Sequence, residues 1–194
     1  MKHKLFLILF FLSFYNCVAQ ATDTPSARLN NYRDKIFAVF NKCSLQDEKI
    51  NDAIKAKNIN EIESGRKALL QCAVDGMKEL DTMKNFDDDP SLKYSCRDVL
   101  KFYKQLTESD IPQVRDFFIV EENFLKIKNE FEKKKAKKHS QAEIYAYNTE
   151  IKKYNAAGIR YAQISSFIAA SRKLTLYNWN TSVKIFMDSH KPKT

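Results

Sequence analysis

The prolines of this chain fall where helices begin or where the chain ends, and long proline-free runs separate them. Pro25 follows Thr24, Pro90 follows Asp89, and Pro112 lies two residues after Asp110. Each therefore sits in a predicted first helical turn behind a side chain able to cap it. The missing N–H costs nothing there, because the first N–H groups of a helix have no intrahelical partner. Pro192 merely ends the chain. A proline inside a helix would cost about 3 kcal/mol or more. Glycine, the other common breaker, occurs only 3 times in 194 residues. Such a chain is free to form long, unbroken helices.

Apolar residues at spacings of three and four fill these runs, the signature of helices with one buried face. Helix one is predicted from about Ser26 to Lys57, with Leu29, Tyr32, Ile36, Val39, Phe40, Cys43, Ile50 and Ile54 in its stripe. A turn at Asn58-Ile59-Asn60 leads to helix two, from about Glu61 to Asn85, whose inward residues are Ile62, Leu69, Ala73, Met77, Leu80 and Met83. The loop Phe86 to Asp89 precedes helix three, Pro90 to about Thr107, with Leu92, Cys96, Val99, Tyr103 and Leu106 aligned. Asp110 and Gln113, in capping-box spacing, predict the start of helix four, striped by Val114, Phe117, Phe118, Phe124, Leu125 and Phe131. Ser140 and Glu143 repeat that spacing ahead of a fifth helix lined by Ile144, Tyr147, Ile151, Tyr154, Tyr161, Ile164, Phe167 and Ile168. Leu176, Trp179, Val183 and Phe186 continue the pattern, after a bend expected near Leu174. No stretch alternates with period two for long enough to nominate a strand. Short connections favour antiparallel neighbours, so the expected fold is all-α: an elongated up-and-down antiparallel bundle of four to five long helices.

Residues 1–21 read differently. Lys2 and Lys4 precede the apolar run Leu5 to Phe14, and Ala19-Gln20-Ala21 follows, the layout of a secretory signal peptide too short to span a bilayer permanently. The expected product is one helical bundle domain, 22–194, working in the periplasm or medium. The competing reading makes Cys17 a lipid acceptor, although the bulky Phe14-Tyr15-Asn16 before it suits acylation poorly. The formal net charge of +9 falls to about +7 once Lys2 and Lys4 leave. Basicity invites an anionic partner. Lysine outnumbers arginine here, however, and arginine is the usual reader of phosphate and bases, so nucleic acid is not expected.

Little in the sequence points to catalysis. His3 leaves with the leader, His139 follows a lysine run and His190 lies in the polar tail, so neither a general base with an orienting partner nor a set of zinc ligands is predicted. Asp87-Asp88-Asp89 lacks the glycine and distal glutamate of a calcium loop and reads as a cap for helix three. No enzyme activity, cofactor or metal is expected. Lys133, Lys134, Lys135, Lys137 and Lys138 form the densest charge run. It is read either as a solvated helix end or as a contact for anionic lipid or acidic glycan, with no apolar face beside it to favour a membrane. Tyr147, Tyr154 and Tyr161 recur every seven residues, as a packed seam does, while Tyr145, Tyr177 and Trp179 lie nearby.

The mature chain has three cysteines, Cys43, Cys72 and Cys96, so at least one stays unpaired within the chain. In an antiparallel hairpin turning near Asn58, Cys43 and Cys72 come level, about fifteen and thirteen residues from the turn, whereas Cys72 and Cys96 are offset by roughly 9 Å. A Cys43–Cys72 bridge with Cys96 buried beside Leu92 and Val99 is the expectation; three reduced, buried thiols are the alternative.

The leader, the helical hairpin, the segment Asp98-Val99-Leu100-Lys101-Phe102-Tyr103 on a middle helix and the lysine-rich hinge before a long last helix are together similar to exported all-helical bacterial proteins, including Leptospira-type surface proteins of unknown function. That resemblance implies a helical fold and a cell-envelope location, with no catalytic residues to carry over. The expected role is a non-enzymatic interaction or structural module contacting a protein or envelope component; the alternative is a carrier of a small apolar ligand or lipid between helices.

Overall fold

The computed structural model describes residues 24–135 and 138–192. The predicted leader, Cys17 and Lys137 lie outside the described residues. The described chain is all-α: α1 (Pro25–Lys55), α2 (Ile59–Thr82), α3 (Ser91–Gln105), α4 (Ile111–Lys133) and α5 (Gln141–Ser189). They pack as an up-and-down bundle with one apolar core.

Capping chemistry starts the helices much as the sequence suggests. Thr24 Oγ1 accepts from Ala27 N–H at 3.1 Å, with Pro25 in the first turn of α1. Asn58 Oδ1 accepts from Glu61 N–H at 3.2 Å and opens α2. The turn before it is closed by Lys57 at φ 52°. That is a left-handed position, which usually favours glycine. Lysine is useful there, because its ammonium reaches Glu121 of α4 at 2.7 Å and ties the end of the first hairpin to the second. Asp89 accepts from Ser91 N–H at 2.8 Å as α3 begins.

The predicted capping box at Asp110 and Gln113 does not form. Asp110 makes no side-chain cap, and Gln113 Nε2 instead donates to the Ser109 carbonyl. Helix does not stop at Thr107: a π turn, Leu106–Asp110, joins α3 to α4 without a loop. Pro112 explains it. Widening the turn lets Ile111 N–H reach the Leu106 carbonyl, five residues back, and leaves the Thr107 carbonyl facing the proline nitrogen, which has no hydrogen to give. Arg66 of α2 supplies the missing donor, Nη1 to Thr107 O at 3.2 Å. The same guanidinium and that of Arg115 hold Glu63, whose carboxyl is pulled down to about 2 chiefly by the Arg66 hydrogen bond.

Four helical rods therefore make the bundle. Cys43 and Cys72 form a disulfide between α1 and α2, with Cα atoms 5.6 Å apart. Gly76 lets α2 approach closely, since a Cβ there would come within 3.0 Å of both Val39 and Leu100. Cys96 is fully buried, its thiol donating to the Ile36 carbonyl at 3.8 Å, and burial pushes its pKa up to about 12. Trp179 of α5 stacks on Phe40 of α1 at 4.9 Å between ring centroids. Arg172 grips Asp47 of α1 with two hydrogen bonds, 2.9 and 2.6 Å, fixing the register of α5.

The expected bend near Leu174 is absent. From Gln141 to Ser189 α5 is one helix of 49 residues. Such a helix is roughly 73 Å long. No proline lies within it, and its one glycine, Gly158, is accommodated against Phe117. Phe167 and Leu125, expected inside, are half exposed, because Phe167 lies on the face of α5 turned away from the body and α4 outruns α1 and α2 at its end.

Candidate functional site

Lys57 and Glu121 mark the level at which the α1–α2 hairpin stops. Beyond it, α4 continues from Glu122 to Lys133 and, among the described residues, only the first part of α5 lies beside it. Those two helices extend about 18 Å past the hairpin as an arm. An aromatic ladder holds the arm together. Phe117, Phe124 and Phe131 climb α4 in steps of seven while Tyr161, Tyr154 and Tyr147 descend α5 in steps of seven. The rings meet pairwise, Phe117 on Tyr161 at 4.3 Å, Phe124 on Tyr154 at 4.5 Å and Phe131 on Tyr147 at 4.1 Å, all within 12° of parallel. His139 caps the far end, stacked on Phe131 at 3.8 Å. A seven-residue repeat keeps each ring on the seam between two helices, so the tyrosine periodicity is indeed that of a packed seam.

Beside the ladder runs a groove. Near the body it is small, about 220 Å³, between Val120 and Phe117 on α4 and Ala157, Arg160 and Tyr161 on α5. Two heptads further out the same face opens into a trough of about 840 Å³, lined by Ile127, Phe131, Ala146 and Tyr147. Ala146 stands at the helical position that Arg160 occupies nearer the body, and the loss of that long side chain opens the space. Lys126, Lys134 and His139 rim the trough, together with Glu130, Glu143 and Glu150. Leu125 and Tyr145 add exposed apolar surface to the arm.

The lysine run forms the tip of this arm. Lys133, Lys134, Lys135 and Lys138 are exposed where α4 turns back into α5, and Lys137 falls outside the described residues. Lys133 pairs with Glu130 at 2.5 Å and Lys134 with Glu143. Glu143 also completes the predicted capping box: Ser140 Oγ accepts its N–H at 3.3 Å and its carboxylate accepts from Ser140 N–H at 2.9 Å. The Lys134 hydrogen bond and that amide hold the Glu143 carboxyl at about 2. The sequence pattern shows no apolar face beside the lysines; tertiary structure supplies one, since Ile127 and Phe131 come from α4 and Ala146 and Tyr147 from α5.

The cysteines play no part in this surface. The disulfide lies in the body, at Cys43 of α1, fourteen residues before Lys57. That places it about 21 Å along α1 from the α1–α2 turn. Ionisable groups are also buried in the body. Asp47 is held by Arg172, and burial beside Asp47 pushes the Tyr103 hydroxyl up to about 12. Asp110 is raised by burial alone. At the other end, His190 packs between Phe86 and Phe186 and approaches Asp89 at 3.6 Å, closing the tail of α5 onto the α2–α3 loop. Among the described residues no cluster of three metal-ligating side chains occurs, and no helix is long and apolar enough to cross a membrane.

No family model matches the chain, and no curated protein or solved structure is found to be similar to it. The trough was the feature that reading the helices one at a time missed. The matching sevenfold steps of Phe117, Phe124, Phe131 and Tyr147, Tyr154, Tyr161 were the signal that would have paired them.

Proposed function

We propose that this chain is an exported, non-enzymatic interaction or structural module of the bacterial cell envelope, and that the α4–α5 arm is its contact element. The observation that carries the reading is the open, aromatic-floored trough on an arm that projects beyond the rest of the bundle. A two-helix extension buries less apolar surface than a four-helix body, so its uncovered apolar residues are better explained by contact than by folding. The leader-like N-terminus and the Cys43–Cys72 disulfide support an oxidising compartment outside the cytoplasm. The basic tip suits peripheral contact with anionic lipid or acidic glycan, at about 1 kcal/mol for each lysine near a charged membrane.

Ala146→Arg tests the role of the trough, since it restores there the side chain that narrows the groove at Arg160. The full chain and this variant are used to recover partners from the envelope fraction of the host. A protein or envelope component retained by the full chain and lost with Ala146→Arg, at unchanged melting temperature, is the expected result. Identical recoveries from both, or none, would remove the arm as the contact element.

The same trough favours a second reading, carriage of a small apolar ligand. Native mass spectrometry of protein from its own host would then show a bound mass that Ala146→Arg displaces; repeatedly ligand-free spectra would end that reading.

A further inference from the structure

A second uncovered surface runs along α5 over the body of the bundle, and it does not depend on the role given to the arm. Ala156, Ile159, Gln163, Phe167, Ala170, Leu174, Tyr177, Thr181 and Ile185 follow one another at spacings of three and four. At about 100° per residue they fall within an arc of about 80°, roughly 150° round the helix from Trp179 and Phe186. Those two side chains face the core, whereas the large members of the strip are open to solvent: Ile159 64%, Phe167 52%, Leu174 60%, Tyr177 67% and Ile185 64% exposed. The strip is about 44 Å long. Helix α5 is thus apolar on two opposite faces, and the four-helix body covers one of them.

Its narrow, regularly spaced form is that of a helix–helix seam. The charges that α5 itself places beside the strip have one sign. Between Glu150 and Asp188, α5 contains no Asp or Glu, while Lys152, Lys153, Arg160, Lys173 and Lys184 are exposed and Arg172 is committed to Asp47. A second copy of α5 laid on the strip would bring like charges together. A flat anionic bilayer fits less well than a helix, because Asp98 and Asp116 of the α3–α4 rod line grooves along one flank of α5 and would face the headgroups there, whereas a helix can set its acidic residues on the opposite flank, where Lys173 and Lys184 stand. We infer that this strip docks an amphipathic helix of a partner protein whose apolar residues share the three-and-four spacing and whose flanking residues are acidic. Apolar side chains would seat between Phe167, Leu174 and Tyr177, and the acidic flanks would select the partner and orient it against Arg160, Lys173 and Lys184.

Two synthetic helical peptides of about four heptads, with the same leucine stripe but flanked either by glutamate or by lysine, serve as probes against the full, oxidised chain in fluorescence anisotropy. The acid-flanked peptide should bind at least about tenfold more tightly, with the difference shrinking as salt rises. Leu174→Ser should weaken it about tenfold without changing the melting temperature, since Leu174 is exposed, and Tyr145→Ser on the arm should leave binding unchanged. Reversing the flank with Arg160→Glu, Lys173→Glu and Lys184→Glu together should switch the preference to the lysine-flanked peptide. Equal binding of both peptides, binding of neither, or indifference to Leu174→Ser would overturn the inference. So would sedimentation showing a dimer that Leu174→Ser abolishes, or vesicles of phosphatidylglycerol and phosphatidylcholine bound through Leu174 in preference to the peptides.

Discussion

Phe118 and Leu125 occupy the same heptad position of α4 one repeat apart, yet Phe118 is 3% exposed and Leu125 48%. The first lies in the four-helix body, under the α1–α2 turn and the Lys57 side chain; the second lies in the arm, where that hairpin has ended. The two regions share helices and differ in what orders them. In the body, each rod buries its apolar face against neighbours, a disulfide closes α1 on α2, and Trp179 and Arg172 lock α5 to α1. In the arm, one aromatic seam carries the pairing. Burial makes the body a cooperative unit, whereas the arm has few apolar contacts of its own and belongs at the low-stability end of the molecule.

Removing the disulfide should produce the largest effect and confine it to the body. Cys43 and Cys72 are 29 residues apart in the chain. Closing a loop of that size corresponds to about 3 to 4 kcal/mol. The double variant Cys43→Ser, Cys72→Ser should lower the urea stability of the whole bundle by that order, while hydrogen exchange of amides 124–133 stays as it was. Faster exchange throughout the arm at low denaturant would mean that arm and body open as one unit.

The ladder should be worth less and act locally. A double-mutant cycle on Phe124→Leu and Tyr154→Leu should give a coupling of about 0.5 to 1.5 kcal/mol, read from exchange in the arm, with little change in the main unfolding transition. A coupling near zero would reduce the stacked rings to ordinary apolar filling.

The smallest effect should come from acid. Glu143 has its carboxyl lowered from 4.5 to about 2 by Lys134 and the Ser140 amide. The capping contribution is therefore fully present above the ordinary carboxyl pKa and fades as pH falls towards the lowered one. Proton resonances of Ser140 and Glu143 should report fraying of the start of α5 in that window, and Glu143→Gln should remove the dependence. Glu63 of the body is lowered to about 2 as well, by Arg66 and Arg115, and its titration should instead perturb the α2–α4 contact. Fraying of α5 at the same pH in Glu143→Gln as in the unaltered chain would show that the arm has no acid response of its own.

Much of this architecture is legible in the amino-acid sequence because its causes are local. Thr24 before Pro25 and Ser140 with Glu143 start helices through side chains that reach only three residues along the chain. The levelling of Cys43 with Cys72 follows from counting residues to a turn. Asp110 misleads for a physical reason: its spacing to Gln113 has the form of a cap, but the outcome depends on Arg66, more than forty residues away, meeting the carbonyl that Pro112 leaves without a donor. Phe167 misleads similarly, since periodicity reports that α5 has apolar residues without saying how many of its faces the neighbours cover.

The sequence by itself determined that the chain is helical, how its first and last helices are capped, and that its aromatics recur in sevens. Those properties arise from interactions within one or two turns. Only the tertiary structure decided which apolar faces are core and which are surface, because that depends on where each helix ends relative to the others. Lys57 ends the first hairpin level with Glu121 and leaves the aromatic trough open, and α5, gripped by Asp47 and Phe40 on one side, turns Phe167, Leu174 and Tyr177 to solvent on the other.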